Sequence, residues 1–228
     1  MLLRHVLAIA GLLFTASFLW AQSAPSSPSP VSATESPGVI AMEDSQIGDH
    51  WTYVDRDDVS GDIKSTMTLT ITDITPAEFA VRVTTDNKSE ARYLTFSRSW
   101  DTVSNDPWRF TPNDGAGIRA PLSVGKEWSF KSTDVNPTAG ASFERSGTSK
   151  VTAQETITTR AGTFETFKIE TTAESRNLKN PTKTTLYEAQ SWFAPAINRW
   201  VRRSFVRKSE GLVRDKGSLE LVEYGRKK

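Results

Sequence analysis

The chain contains one seven-residue pattern twice: Ile47-Gly48-Asp49-His50-Trp51-Thr52-Tyr53 and, 77 residues later, Val124-Gly125-Lys126-Glu127-Trp128-Ser129-Phe130. A glycine followed by two aromatic residues at alternate positions is typical of a tight turn that leads into a strand with one buried face. Because Ser99-Trp100 and Ser191-Trp192 also recur late in the two halves, we interpret the chain as a duplicated β unit, with repeats at about 45–122 and 123–225.

The body of the chain has the hydrophobic alternation of half-buried strands. Met67, Leu69 and Ile71 alternate with threonines, for example, and Gly162 stands where a tight hairpin needs a positive φ. Strands are predicted at residues 51–56, 66–72, 79–83, 92–100, 128–133, 150–159, 164–172, 184–193, 199–208 and 218–224. No amphipathic helix of three turns is visible beyond the N-terminal segment. We therefore expect an all-β, mostly antiparallel fold, in which the duplicated unit forms a curved sheet, a half-barrel or an open barrel.

The N-terminal residues have the composition of a signal peptide. Arg4 precedes the apolar run 6–20, and Ala21-Gln22-Ser23 supplies small residues for cleavage after Ser23. Residues 24–38 hold four prolines and five serines, which predicts a disordered linker. Residues 39–228 are then a single β domain, exported to the periplasm and without a transmembrane segment in the mature chain. The chain has no cysteine, so it carries no disulfide and no thiolate metal site.

The two halves carry opposite charge. Residues 24–120 contain 15 acidic and 8 basic residues, a net charge of −7, whereas residues 121–228 contain 12 acidic and 19 basic residues, a net charge of +7. One interpretation is that the two repeats attract each other while their outer faces are solvated. The other is that the second half offers a basic face to an anionic component of the cell envelope.

Few residue patterns support an enzyme. His50 is the one histidine beyond the signal peptide, so a Ser-His-Asp triad would have to use it and a multi-histidine zinc site is excluded. We interpret His50 as a polar turn residue. A carboxylate-based hydrolase built on Glu155, Glu165, Glu170 and Glu188 stays open as a third alternative. We expect no catalytic residue and no cofactor.

The acidic cluster at residues 55–62 matches a calcium-binding loop only in part. Asp55 and Asp57 match the first two ligand positions of an EF-hand, but Val59 occupies the third and no glutamate stands at the twelfth. The expected role of Asp55, Asp57 and Asp58 is a solvated turn, with a weak, irregular Ca²⁺ site as the alternative. No other metal site is expected.

The segment 199–208 is both basic and aromatic. Because the chain is expected to be exported, we expect no nucleic-acid partner, and the expected partner of such a segment is a lipid or another amphiphilic envelope component. Aromatic side chains can also line a ligand cavity, although they more often fill a core. The candidate ligand-binding residues are Trp100, Trp192, Trp200, Arg199, Arg202 and Arg203.

Several motifs of the second half resemble those of a domain of unknown function in uncharacterised exported proteobacterial proteins. They are Val124-Gly125-Lys126-Glu127-Trp128, Arg160-Ala161-Gly162-Thr163-Phe164 with Lys168-Ile169, Trp192-Phe193-Ala194-Pro195 with Arg199 and Val201, and Glu220-Leu221 before Tyr224. Such proteins are distantly similar to periplasmic lipoprotein carriers of the β-clam type, whose curved sheets hold acyl chains. The resemblance implies no catalytic residue.

The leading hypothesis is a non-enzymatic periplasmic binding or carrier module for an apolar or amphiphilic envelope ligand. The alternative is a structural or assembly partner of another cell-envelope protein, which would use its sheet edges and charged halves. The sequence itself singles out neither the ligand nor the partner protein.

Overall fold

The computed structural model describes residues 42–226. The predicted signal peptide at 1–23 and the predicted linker at 24–38 lie outside the described residues. Among residues 42–226, no helix combines the length and the hydropathy that a membrane-crossing helix requires.

Twelve antiparallel strands form a closed barrel, in which each strand pairs with its neighbours in the sequence and β1 also pairs with β12. The strands are β1 (His50–Asp57), β2 (Ile63–Ile74), β3 (Glu78–Thr85), β4 (Arg92–Ser97), β5 (Thr102–Asn105), β6 (Trp108–Thr111), β7 (Glu127–Asn136), β8 (Ala141–Thr159), β9 (Gly162–Asn177), β10 (Thr184–Ala194), β11 (Arg199–Ser209) and β12 (Leu212–Gly225). A 3-10 turn at Pro195–Ile197 joins β10 to β11.

The all-β antiparallel fold class is confirmed, with three differences in detail. The barrel is closed rather than open, because the pairing of β1 with β12 leaves no free edge. Strands β5 and β6 were missed, since each has only four residues. The predicted strand 92–100 ends at Ser97, because Trp100 has a φ of 66° and lies in a turn.

The repeated pattern has the same geometry in both copies. Gly48 and Gly125 have φ values of 94° and 90°, a region that favours glycine. The N–H of Gly48 donates to the Ile71 carbonyl at 2.9 Å, and the N–H of Gly125 donates to the Val151 carbonyl at 2.8 Å. Each copy therefore ties the start of its first strand to the strand that follows.

The barrel interior has an apolar end. In an antiparallel meander the odd-numbered strands begin at the same end, and at that end Trp51, Phe79, Trp100, Val151 and Phe193 are buried. Phe79 stacks on Trp100 with 4.5 Å between the ring centroids, and Trp51 meets Trp100 edge-on at 5.5 Å. Ile118 and Leu122, from the segment between β6 and β7, belong to the same core. These side chains close this end of the barrel.

A candidate binding cavity inside the barrel

Beyond the apolar core, the barrel contains a cavity of about 500 Å³ that is partly open to solvent. Its walls come from six consecutive strands, β6 to β11, and from the segment that precedes β7. The lining residues are Trp108, Phe110, Asp114, Ala116, Asp134, Phe143, Arg145, Ala173, Ser175, Thr185, Tyr187, Arg203 and Arg207. Because consecutive strands share this one surface, the cavity lies on the concave face of the sheet.

A smaller cavity of about 180 Å³ lies between the large cavity and the apolar core. Tyr53, Phe96, Trp100, Arg199 and Trp200 belong to its walls. Ala116 and Arg203 line both cavities, so the two spaces adjoin. Together they lead from the aromatic core towards the hairpins at the opposite end of the barrel.

A β-bulge in β11 brings Trp200 and Arg203 to the same face. Trp192 pairs with Arg202 whereas its neighbour Phe193 pairs with Trp200, so Val201 is an extra residue in β11. Without the bulge, two residues three positions apart would point to opposite faces of the sheet. The bulge therefore determines which of the basic residues of this strand enter the cavity.

Arg199 is buried among aromatic rings, with 5% of its surface exposed. Its guanidinium carbon lies 4.0 Å from the Trp100 centroid, 5.0 Å from Phe96 and 5.6 Å from Trp51. Such cation–π contacts are worth about 2 kcal/mol or more in a desolvated site. They offset part of the cost of burying the charge, and burial lowers the pKa of this arginine.

Tyr53 lies beside Arg199 at the boundary of the smaller cavity. Its hydroxyl donates to the Trp200 carbonyl at 2.8 Å. Burial raises the pKa of Tyr53 to about 12, although the nearby Arg199 acts in the opposite direction. The phenol is therefore neutral at physiological pH and does not neutralise the arginine.

The charges of the large cavity are unevenly paired. Arg145 forms a salt bridge with Asp134 at 2.5 Å, and Arg207 lies 3.4 Å from Asp215. Among the described residues Arg203 has no salt-bridge partner, and its buried Nε has no hydrogen-bond partner. The same is true of the buried Nε and Nη1 of Arg199. Two arginines therefore contribute uncompensated positive charge to the walls of the adjoining cavities.

Asp114 supplies a carboxylate at the cavity wall, but backbone groups already use it. The N–H groups of Thr102 and Ala116 donate to its Oδ1 at 2.8 and 3.0 Å. Desolvation raises the pKa of Asp114, and the hydrogen bonds and the charge of Arg145 act against that rise. This carboxylate holds the segment before β7 in place.

The structure brings together four of the six candidate ligand-binding residues. Trp100, Trp200, Arg199 and Arg203 line the smaller cavity. The other two lie on the outer face: Trp192 donates from its indole Nε1 to Glu155 at 2.5 Å, and Arg202 forms a salt bridge with Glu220 at 3.2 Å. The basic segment 199–208 therefore has arginines on both faces of the sheet.

The remaining sequence candidates lie at or next to the ends of β1, except Asp55, which was expected in a turn but lies within this strand and pairs with Leu219. His50 Nδ1 lies 3.2 Å from the Gly48 carbonyl oxygen. Asp57 Oδ1 accepts the N–H groups of Val59 and Ser60, which lower its pKa. In residues 42–226 no group of three or more acidic or histidine side chains is arranged to hold a metal ion.

The four glutamates considered for hydrolysis each have a different polar neighbour. Glu155 accepts from Trp192, Glu165 from Thr156, Glu170 from Gln190, and Glu188 from Lys208. These contacts are exposed to solvent, and none of the four residues lines the barrel cavity. Glu170 and Glu188 line a separate surface groove together with Asp58.

Sequence reasoning missed most of the large cavity. Three of its lining residues are Asp134 on β7 and Phe143 and Arg145 on β8. In the sequence, these positions do not differ from those on a solvent-exposed face of a sheet. Their inward direction follows from the register of β7 with β8, where Asp134 pairs with Phe143. Arg207 belongs to the basic segment 199–208 and Trp108 is remote from it in the chain, so nothing in the sequence places these two residues near each other.

Comparison with known proteins gives one family match. A family model described as DUF3108-like matches residues 135–210. This range includes all of β8 to β11. No curated protein matches the chain.

Three solved structures are similar to this chain. A candidate lipoprotein from Parabacteroides distasonis ATCC 8503 is 14% identical, with 79% of this chain and 96% of that chain covered and a TM-score of 0.49. A candidate exported protein with a YmcC-like fold from Bacteroides fragilis NCTC 9343 is 13% identical, with 82% and 99% covered and a TM-score of 0.47. The hypothetical lipoprotein YmcC from Escherichia coli K12 is 11% identical, with 77% and 84% covered and a TM-score of 0.45.

Proposed function

We propose that this protein is a non-enzymatic binding or carrier module that holds an amphiphilic ligand inside its barrel. The observation that carries the proposal is the cavity of about 500 Å³, since ligand pockets commonly measure about 300–1,000 Å³. Aromatic side chains and a small number of charged groups share its lining, which suits a ligand with an apolar part and a polar part.

The proposed site of action is the cell envelope. The composition of residues 1–23 supports export, and a carrier of amphiphiles suits the periplasm, where such molecules must cross water. The apolar end supports this mode of binding, because its packed core leaves the ligand space confined to the other part of the barrel.

A cavity-filling variant tests the proposal. Ala173 lies on the cavity wall and is buried, so Ala173→Phe should occupy the space that the ligand needs. The neighbouring Thr172 is exposed on the outer face, and Thr172→Phe is the matched control. We expect the neutral fluorescent probe N-phenyl-1-naphthylamine to bind the wild type and the control, and to bind Ala173→Phe at least tenfold more weakly. Equal binding by all three proteins would contradict the proposal.

A second candidate function is that of an assembly partner for another envelope protein. Exposed apolar side chains near the hairpin ends opposite the core favour it, and Val59, Leu178 and Leu212 are 75%, 48% and 58% exposed. Native mass spectrometry of the protein purified from a bacterial periplasm separates the two functions. A retained small amphiphile supports the binding module. A retained protein that Val59→Asp and Leu212→Asp together release supports the assembly partner.

A further inference from the structure

We propose that the cavity selects amphiphiles with a single acidic headgroup, a carboxylate or a phosphate, and that Arg203 is the residue that binds this group. This inference rests on the proposed function and names the ligand class of the same site. In the bound state the headgroup lies against the guanidinium of Arg203 and the apolar chain extends along the aromatic wall.

The position of Arg203 supports this role. It lines both cavities, and its Nε is buried without a hydrogen-bond partner among the described residues. Its guanidinium carbon lies 5.8 Å from the centroid of the Trp200 ring, and a contact with a ring face does not use the N–H donors. A buried polar group without a partner costs roughly 1–3 kcal/mol, and more when it is charged. An acidic headgroup would supply the missing acceptors.

The neighbouring carboxylates do not take this place. Asp134 binds Arg145 and also accepts the hydroxyl of Ser132 at 2.6 Å. Asp114 accepts two backbone N–H groups. Arg199, which lines the smaller cavity with Arg203, adds a second unpaired positive charge. An anion that enters between them meets two cations that no carboxylate of the described residues neutralises.

The aromatic wall provides the complementary apolar surface. Trp108, Phe110, Phe143 and Tyr187 line the large cavity with Arg203, and Trp108 and Phe143 contact each other with 5.9 Å between their centroids. A guanidinium binds carboxylate and phosphate groups with paired hydrogen bonds. The two surfaces together fit one acyl chain with an acidic end.

The decisive experiment compares three ligands of equal chain length: laurate, dodecyl phosphate and dodecanol. Calorimetric titration of the whole protein should give tight binding of one or both anions and binding of dodecanol at least tenfold weaker. Arg203→Gln should reduce the affinity for the anions at least tenfold and leave dodecanol binding unchanged. Arg202→Gln is the matched control, because Arg202 is adjacent in sequence but pairs with Glu220 on the outer face. This control should bind like the wild type.

Several outcomes would overturn the inference. If dodecanol binds as tightly as both anions, or if Arg203→Gln binds the anions like the wild type, the headgroup does not use this arginine. In that case the proposed function still holds if Ala173→Phe prevents the binding of N-phenyl-1-naphthylamine. If none of the three ligands binds the wild type and N-phenyl-1-naphthylamine also fails to bind, both proposals are wrong. A difference between laurate and dodecyl phosphate identifies the preferred acid, and thermal unfolding of Arg203→Gln confirms that the variant is folded.

Discussion

At the scale of single residues, the barrel interior contains a buried charge, that of Arg199, which lowers the free energy of unfolding. Arg199 has two buried nitrogens without hydrogen-bond partners among the described residues. Its contacts with Trp51, Phe96 and Trp100 recover about 2 kcal/mol or more. Leaving each buried donor unpaired costs roughly 1–3 kcal/mol, and desolvation of the charge adds to this cost. The balance therefore favours an apolar side chain of similar length at this position.

Arg199→Met is expected to leave the protein at least as stable as the wild type. Methionine fills a similar space and removes the unpaired donors. By contrast, Trp100→Ala should lose about 3–5 kcal/mol, because it empties the centre of the aromatic core. Urea unfolding followed by fluorescence and circular dichroism measures both changes. A loss of more than about 2 kcal/mol in Arg199→Met would show that the cation–π contacts outweigh the cost of burial.

Asp114 gives the stability a dependence on pH. Desolvation raises its pKa in the folded state, so the folded state holds this proton more tightly than the unfolded state. The penalty for ionising it is absent below the ordinary aspartate pKa of about 4 and grows as pH rises through the folded-state pKa. Asp114→Asn keeps an oxygen for the N–H groups of Thr102 and Ala116. Its melting temperature relative to the wild type should therefore rise between about pH 4 and pH 7. A constant difference over this range would contradict the assignment.

At the scale of elements, the sequence predicted what depends on local pattern. Most of β9 and the second half of β8 were predicted from alternation and β-branched residues, whereas residues 141–149 of β8 were missed. The candidate site was predicted only in part, because the direction of Arg203 depends on the bulge in β11 and that of Arg145 depends on cross-strand register. Neither feature has a local signature. Arg202 and Arg203 are equivalent in the sequence and lie on opposite faces in the structure.

The hairpin between β8 and β9 depends on Gly162. This residue has a φ of 133°, as the sequence predicted, and a β-branched side chain is strained in that region. Gly162→Val should destabilise the fold by about 1–3 kcal/mol. Thr163→Val is the control, because it keeps a β-branched residue at the next position and loses only an exposed hydroxyl contact with Thr158. Equal melting temperatures of Gly162→Val and the wild type would show that the turn tolerates the side chain.

At the scale of the whole molecule, the barrel wall is uneven. β8 and β9 pair continuously from Phe143 with Asn177 to Thr159 with Gly162, apart from one bulge. β5 and β6 pair only through Ser104 with Arg109 and Asn105 with Trp108. The many consecutive strands in the sequence predicted a curved sheet. Closure of the barrel depends on the pairing of β1 with β12, which are at opposite ends of the domain, and no local pattern predicts such a pairing. The short β5–β6 hairpin is the weakest section of the closed wall.

That weak section borders the cavity, since Trp108 and Phe110 of β6 line it. Among the strands, amide hydrogen–deuterium exchange should therefore be fastest in residues 102–111, because few hydrogen bonds must open to expose β5 and β6. It should be slowest in the buried parts of β3, β9 and β10. Laurate at saturation should slow exchange in 102–116 at least threefold and leave β3 unchanged, because the ligand contacts one wall of the barrel and not its apolar end. Ala173→Phe with laurate added is the control and should show no protection. Uniform protection of all twelve strands would instead indicate general stabilisation of the fold, and unchanged exchange in 102–116 would place the ligand outside the barrel.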